Sequence, residues 1–263
     1  MRNLAAPGLA LLLLLAGCGL DDANGTDQPK ADPTGTPASL RIDFESAPPV
    51  GQGLDDVDNE GTSSVGVAVA TSGDGQIEVV EGPGGGHAAR LPAYTGAEVS
   101  PEAVIVATAK ETGALDPLDQ DFRFGASFML DPKSSGSKGD NGDNLLQRGA
   151  FDSTGQFKIQ IDHKVPSCRI LGDDGEVFVK AGTVISPDVW YSVTCQRTET
   201  EVSISLTQYG ERGQTWTAAG PTGHLTLGDL PLAVGGKLSS EGIPVASGDQ
   251  FNGAVDDVFL RIG

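Results

Sequence analysis

Short segments in which apolar and polar residues alternate are the feature that most constrains the fold of this chain. In the clearest segment, 122–130, every second residue is apolar, and Phe122, Phe124 and Phe128 are among them. Because alternate side chains of a strand point to one face, this pattern predicts a half-buried strand. About a dozen such segments, with turns every 8–12 residues, predict a β-sandwich or β-barrel. No long segment has the 3.6-residue period of an amphipathic helix.

The expected strands extend over most of the chain after residue 39. Segment 104–106 is included because its β-branched residues outweigh the helix-capping pattern at Ser100-Pro101-Glu102. The 37 glycines and 16 prolines suit the many turns between strands. Residues 39–263 therefore suit one all-β domain. The expected strands are 40–45, 65–70, 76–80, 88–91, 104–106, 122–130, 145–148, 157–162, 176–180, 190–197, 202–206, 225–227, 232–234 and 255–262.

The N-terminal segment has the layout of an export signal. Arg2 is its only charge, an apolar run fills 10–15, and small residues follow. The run is too short for a membrane-spanning helix, which needs about 20 residues. Leu15-Ala16-Gly17-Cys18 resembles the lipobox of bacterial lipoproteins, which implies cleavage before Cys18 and acylation of its thiol. We therefore expect a signal peptide at 1–17 and a lipid-anchored protein on the extracytoplasmic face of the cell membrane. The alternative is a secreted protein with an incidental Cys18.

The next segment, 18–38, is predicted to be a disordered linker after its lipidated first residue. It is rich in Asp, Gly, Pro and Thr and is almost without apolar residues after Leu20, so it cannot bury enough surface to order itself. The whole chain carries a formal charge of −19. A chain this acidic repels nucleic acid and anionic headgroups, so nucleic acid is excluded as an expected partner.

Two cysteines remain once Cys18 is assigned to lipidation. Cys168 and Cys195 form an even pair in an exported protein, which predicts a disulfide bond. Such a bond would add about 3–4 kcal/mol in the loop-entropy description. The alternative is a pair of unbonded core thiols.

An ordered set of motifs then suggests a family. FRFGASFML, NLLQRG, FKIQI, WYSVTC, SISL, PLAVGGK and FNGAVDDVFL, in this order, resemble the laminin G-like domains of the concanavalin A-like lectin/glucanase superfamily. The resemblance covers about 121–263 well and 39–120 loosely. It implies a jelly-roll sandwich of two antiparallel sheets. Members of this superfamily bind glycans, proteins or calcium, and some are hydrolases, so the fold does not choose the function.

The motifs of the hydrolytic members are not present. Their Glu-x-Asp-x-Glu pattern is absent, and the three histidines at 87, 163 and 224 are isolated. We therefore expect a non-catalytic domain that binds a glycan or protein ligand. A glycoside hydrolase with carboxylates from separate strands, and a purely structural envelope protein, are the alternatives.

A structural calcium ion is a further expectation. Relatives often hold calcium where the first and last strands meet, which here would bring Asp43 near Asp256. Asp256 has the same strand parity as Val258, so its carboxylate is expected to face the apolar side and to need a partner. The loop at 140–144 is a weaker calcium candidate, and an ordinary turn is the favoured interpretation there.

Trp216 is the candidate ligand-binding aromatic. It lies in a polar stretch between expected strands, where an exposed indole can stack on a sugar ring. Packing beneath a loop is an equal alternative. Trp190 is expected to have a core or sheet-edge role instead.

Overall fold

The computed structural model describes residues 36–96, 100–134, 143–150, 153–239, 242–245 and 249–263. These residues form strands and loops, without a helix long and apolar enough to cross a membrane. The strands are β1 (Leu40–Ile42), β2 (Val65–Ser72), β3 (Glu78–Glu81), β4 (His87–Arg90), β5 (Glu102–Ala109), β6 (Phe122–Leu130), β7 (Asp143–Arg148), β8 (Gln156–Asp162), β9 (Val165–Gly172), β10 (Gly175–Lys180), β11 (Trp190–Arg197), β12 (Glu201–Gln208), β13 (Gln214–Ala219), β14 (Leu232–Val234) and β15 (Gly253–Ile262).

The strands form two antiparallel sheets, as the all-β jelly-roll prediction requires. The eight-stranded sheet has the order β13-β12-β11-β6-β15-β4-β3, and β1 pairs with β15. The seven-stranded sheet has the order β10-β9-β8-β7-β14-β5-β2. Neighbours in both orders include strands far apart in sequence, such as β6 beside β15 and β5 beside β14. The two-layer architecture predicted from the alternation is confirmed.

The hydrophobic core lies between the two sheets. Phe124 of the eight-stranded sheet and Phe157 of the seven-stranded sheet are fully buried, with ring centroids 4.7 Å apart. Cys168 on β9 and Cys195 on β11 form a disulfide bond with a Cα–Cα distance of 5.8 Å. The predicted bond is therefore confirmed, and it joins the two layers through the core.

Two buried arginines fix loops to the ends of the sandwich. Arg148 on β7 is fully buried, and its guanidinium donates to Asp116 at 2.7 Å and to the carbonyls of Leu115 and Gly228. Arg197 on β11 donates to the carbonyl of Leu118 at 2.8 Å and also to that of Gln120. Since a buried charge is costly without partners, these bonds give both arginines a structural role.

The structure corrects several strand predictions. The first strand ends at Ile42 rather than at residue 45, because Phe44 has a left-handed φ of 59° that turns the chain. The strand predicted at 225–227 is wrong, since Leu225 makes only an isolated bridge to Leu118. Strands β9 and β13 were not predicted from the sequence. Pro166 obscures the pattern of β9, and β13 is a polar edge strand.

Candidate functional site

The outer face of the seven-stranded sheet carries a layer of polar side chains, which we call the polar face. Strand register places Lys158 of β8 between Arg169 of β9 and Gln147 of β7 in one row across the sheet. The next row contains Gln160 opposite Asn144. Side chains that are directly opposite on one face lie about 5 Å apart. Alternation along the same strands sends Phe157, Ile159 and Ile161 into the core. The full polar face consists of Asn144, Gln147, Gln156, Lys158, Gln160, Ser167, Arg169, Glu176, Lys237 and Asp249.

Hydrogen bonds hold most of this layer in place. Asn144 donates to the Oε1 atom of Gln147 at 2.8 Å, and Gln147 donates to the carbonyl of Gly149 at 2.8 Å. Arg169 donates to Gln156 and to Glu176, with Nη2 2.6 Å from the Glu176 carboxylate. Several of these side chains are nearly inaccessible, which is unusual for an outer face. The amides and the guanidinium are therefore held in fixed positions rather than freely solvated.

Lys158 differs from the other cations of the polar face. Its ammonium group makes no hydrogen bond or ion pair within the part of the chain that the structure describes, whereas Arg169 is paired with Glu176 and Lys237 with Asp249 at 3.4 Å. Burial lowers the pKa of Lys158, and the charges of Arg169 and Lys237 lower it further, whereas the carboxylates of Asp249 and Glu176 raise it. The polar face thus presents a partly buried amine that has no direct ion-pair partner among the described residues.

Two acceptor atoms of the same face also lack donors. The Oδ1 atom of Asn144 and the Oε1 atom of Gln160 are buried and accept no hydrogen bond from the described residues. An unsatisfied buried acceptor costs about 1–3 kcal/mol, so such atoms call for an explanation. Both lie one row from Lys158, where a ligand hydroxyl could donate to them.

A buried carboxyl pair lies at one end of the polar face. The segment around Gln250 continues the sheet between β7 and β5, since Gln250 bridges to Asn144 and bonds the backbone of Ala103. This places Asp249 near Glu102, and both are buried. Burial raises the pKa of Glu102, and the charge of Asp249 raises it further. The Glu102 carboxyl is therefore harder to ionise than an exposed one, and its neighbour Asp249 is paired with Lys237.

A second charged group, the acidic cluster, lies where the first and last strands meet. It consists of Asp43, Glu45, Asp256 and Asp257. Arg41 is its counter-ion, with its guanidinium 3.6 Å from Asp43 and 3.5 Å from Asp257. The sequence prediction that Asp43 and Asp256 lie in one region is consistent with this arrangement, because the charge of Asp43 is among the causes that raise the Asp256 pKa.

The orientation predicted for Asp256 is wrong. A β-bulge between Asp256 and Phe259 places one extra residue in β15, with Asp257 in a left-handed conformation. This changes the strand parity, so Asp256 lies opposite Ser127 on the outer face while Val258 faces the core. Asp256 is nevertheless 6% exposed. Burial, and then the charge of Asp257, raise its pKa to about 8.

The acidic cluster supplies the ligand type that calcium prefers, but its side chains do not converge as placed. Within the described ranges, no group of three or more histidine, cysteine, aspartate or glutamate side chains is arranged to hold a metal ion. Glu45 instead accepts a hydrogen bond from the backbone of His87 at 3.2 Å. Carboxylate oxygens are ligands that calcium prefers, but these carboxylates are not arranged around a common point. The calcium site therefore stays a prediction.

Trp216 lies on β13 opposite Ile204, on the side of the strand that faces the core. It is partly buried and packed against the core, and its indole lies against Gly182. The indole therefore packs beneath a loop, which is one of the two alternatives that the sequence left open. A ligand-binding role for Trp216 stays a prediction.

A separate groove of about 350 Å³ lies beside β2 and brings together few ionisable groups. It is lined by Gly53, Leu54, Asp55, Val69, Thr71, Gly75, Gln76 and Ile77.

Some predicted positions lie outside the described residues, and some site residues were not predicted. Cys18 and most of the loop at 140–144 lie outside the described residues. The polar face was not predicted, although the segment FKIQI contains the alternation that indicates it. Lys158 and Gln160 alternate there with apolar residues. Which of the polar positions would be buried depends on cross-strand partners, and these are distant in sequence.

Solved structures with the same fold include domain 4 of AbnA, a GH43 extracellular arabinanase from Geobacillus stearothermophilus, in complex with arabinotriose. It is 12% identical with a TM-score of 0.57, covering 87% of this chain and 93% of that one. The binding domain of Paraclostridial Mosquitocidal Protein 1 is 11% identical with a TM-score of 0.55, covering 86% of this chain. The botulinum neurotoxin serotype D binding domain is 7% identical with a TM-score of 0.52, covering 85% of this chain.

These similarities define the class of protein as a jelly-roll β-sandwich. This chain spans about half the length of the two toxin structures, 48% and 47%. No protein-family model matches the chain, and no curated protein matches it. The LG1-3 region of the laminin alpha2 chain aligns with a TM-score of 0.43, a level that leaves the laminin G-like assignment a prediction from the sequence motifs.

Proposed function

We propose that this protein is a membrane-anchored extracytoplasmic lipoprotein whose jelly-roll domain binds a glycan without cleaving it. The anchor is the acylated Cys18, and the linker at 18–38 separates the domain from the membrane. The arabinanase domain with the same fold was solved with arabinotriose, and the toxin structures are binding domains. These relatives support a binding role, and a protein ligand is the alternative within it.

The polar face carries this proposal. Glycan hydroxyls both donate and accept hydrogen bonds, as side-chain amides do. The amides of Gln147 and Gln156 are held by internal hydrogen bonds, and Gln160 lies on the same face opposite Asn144. The unsatisfied acceptors on Asn144 and Gln160 suit hydroxyl donors in particular. A purely structural protein gives no reason to bury unsatisfied acceptors beside an unpaired amine.

A glycan array tests the binding role. The full chain, purified in detergent, is expected to bind a subset of glycans, and Gln160→Leu is expected to reduce that binding at least tenfold because it removes one acceptor. Ser205→Ala, on the outer face of the other sheet, is the matched control and is expected to bind as the unmodified chain does. Absence of binding to every glycan, or equal binding by the Gln160 variant, contradicts the proposal.

The lipid anchor has its own test. Cys18→Ala removes the thiol that would be acylated, so the variant is expected to leave the membrane fraction. Cys168→Ala serves as the control, because it removes a different cysteine and leaves the lipobox unchanged. Fractionation of cells followed by detection of the protein measures both. A Cys18 variant that still sediments with membranes contradicts the lipoprotein assignment.

A glycoside hydrolase is the second candidate function, favoured by Glu102 and Asp249. A carboxyl whose pKa is raised, close to a second carboxylate, is the kind of pair that general acid catalysis of glycoside cleavage uses. Both side chains are buried, at 4% and 3% exposure. Release of reducing sugar from a polysaccharide by the unmodified chain, and its loss in Glu102→Gln, would establish this function over simple binding.

A structural calcium ion at the acidic cluster is part of the proposal. Four carboxylates oppose one another there with Arg41 as the described counter-ion, so a divalent cation would relieve their repulsion. Movement of the Glu45 side chain away from the His87 backbone is required for it to act as a ligand.

A further inference from the structure

We infer that the glycan bound by the polar face is acidic, and that it places a carboxylate against Lys158 while its hydroxyls donate to Asn144 and Gln160. This inference rests on the proposed glycan-binding function and specifies its ligand class.

The first observation behind this inference is the balance of charges on the polar face. Lys158, Arg169 and Lys237 are three cationic side chains, and Glu176 and Asp249 are the carboxylates paired with two of them. One positive charge is therefore left over, in a chain whose formal charge is −19. The nearby Glu102 is a weaker counter-charge, because burial and the charge of Asp249 raise its pKa. A single anionic group would balance this face.

The second observation is the position of Lys158 in the sheet. Lys158 is neither at the rim nor on a loop, since its row places it between Arg169 and Gln147 in the middle of the sheet. A solvated lysine needs no partner, but burial already lowers the pKa of this amine. A carboxylate that approached it would also be within reach of the Arg169 guanidinium, and charge-assisted hydrogen bonds of this kind are the stronger class.

The third observation is the pair of unsatisfied side-chain acceptors on Asn144 and Gln160. A free carboxylate offers only acceptor oxygens, so it cannot satisfy the Oδ1 atom of Asn144 or the Oε1 atom of Gln160. A neutral sugar offers hydroxyl donors and leaves Lys158 without an anion. A sugar ring that carries both hydroxyls and a carboxylate, as in a uronic acid, satisfies all three groups at once.

Calorimetric titration of the full chain in detergent tests this inference. The probes are galacturonate, mannuronate and glucuronate trisaccharides, their methyl esters, and a sulfated trisaccharide without carboxylates. At least one uronate is expected to bind, and its methyl ester is expected to bind at least tenfold more weakly because esterification removes the charge. Binding is also expected to weaken as the salt concentration rises.

A lysine variant assigns the effect to the polar face. Lys158→Met keeps an apolar stem and removes the charge, so it is expected to lower uronate affinity at least tenfold. Lys110→Met, at an exposed position after β5, is expected to bind normally. Because Lys158 has no described partner to lose, its variant is expected to melt at or above the temperature of the unmodified chain, which separates lost binding from unfolding.

The outcomes distinguish the two proposals. Equal binding of uronates and their esters, preference for neutral glycans, or binding of the sulfated probe alone overturns the acidic-glycan inference and leaves glycan binding intact. Unchanged uronate affinity in Lys158→Met also overturns it. Failure of the chain to bind any glycan, acidic or neutral, overturns both proposals.

Discussion

The acidic cluster and the polar face differ in how their partly buried charges are balanced. In the acidic cluster, Asp43, Glu45, Asp256 and Asp257 oppose one another, and the exposed Arg41 offsets part of their charge. On the polar face, Arg169 and Lys237 each have a carboxylate partner, and Lys158 has none among the residues that the structure describes. The first region has an excess of negative charge and the second has one unpaired positive charge.

This difference shows that net charge does not identify a binding partner. A formal charge of −19 disfavours nucleic acid, and equally any other polyanion, at long range. Locally, however, strand register brings Lys158 and Arg169 together on one face of one sheet, and Lys237 is close enough for its charge to lower the Lys158 pKa. Recognition therefore depends on the local arrangement, whereas the overall charge governs solubility and long-range repulsion.

Asp256→Asn is expected to have the largest effect on stability. The folded-state pKa of about 8 lies above that of an unfolded aspartate, so folded Asp256 retains a proton that the unfolded chain releases. The free energy of unfolding therefore falls as pH rises from about 4 to 8, and this loss is complete above that window. Each pKa unit corresponds to about 1.4 kcal/mol, so the variant should gain on the order of several kcal/mol at alkaline pH.

Urea unfolding of both proteins between pH 4 and pH 9 measures this effect. Asp74→Asn, in the exposed turn after β2, is the control and is expected to leave the pH profile unchanged. Equal slopes for the Asp256 variant and the unmodified chain, or a less stable variant at pH 9, would show that Asp256 is not under electrostatic strain.

Calcium is expected to have a smaller effect, of a few degrees in melting temperature, through binding to the folded state alone. The ion would relieve repulsion among the carboxylates, so millimolar calcium should raise the melting temperature at pH 8 and a chelator should lower it. Asp43→Asn should reduce the response because it removes one ligand. Melting curves that coincide with and without calcium would show that calcium does not stabilise the folded protein.

Glu176→Gln is expected to have the smallest effect on stability. Its carboxylate pairs with Arg169 at 2.6 Å, but it is 44% exposed, and exposed ion pairs contribute about 0–1 kcal/mol. The variant should instead bind a uronate more tightly, because it removes the carboxylate that offsets the charge of Arg169 beside Lys158. Chemical denaturation and titration of the same sample measure both. A loss well above 1 kcal/mol, or weaker uronate binding, would contradict this view of the polar face.

The sequence predicted the layers of this molecule better than its sites. Alternation in 122–130 and 157–162 was sufficient for the core strands, because each carries its own periodic signal. The pairing of Cys168 with Cys195 followed from their even number in a chain that is predicted to be exported. The bulge at Asp257 left no such signal, since it depends on how β15 meets β6, and it changed the side to which Asp256 points. The polar face depends on partners from four strands and two loops, which periodicity within one strand cannot reveal.

A crystal structure of the full chain with a bound uronate trisaccharide tests the central claim most directly. The account predicts a sugar carboxylate within about 3 Å of the Lys158 ammonium, and ring hydroxyls within hydrogen-bonding distance of Gln160 and Asn144. A sugar seated on the outer face of the eight-stranded sheet, or against loops remote from Lys158, would contradict it.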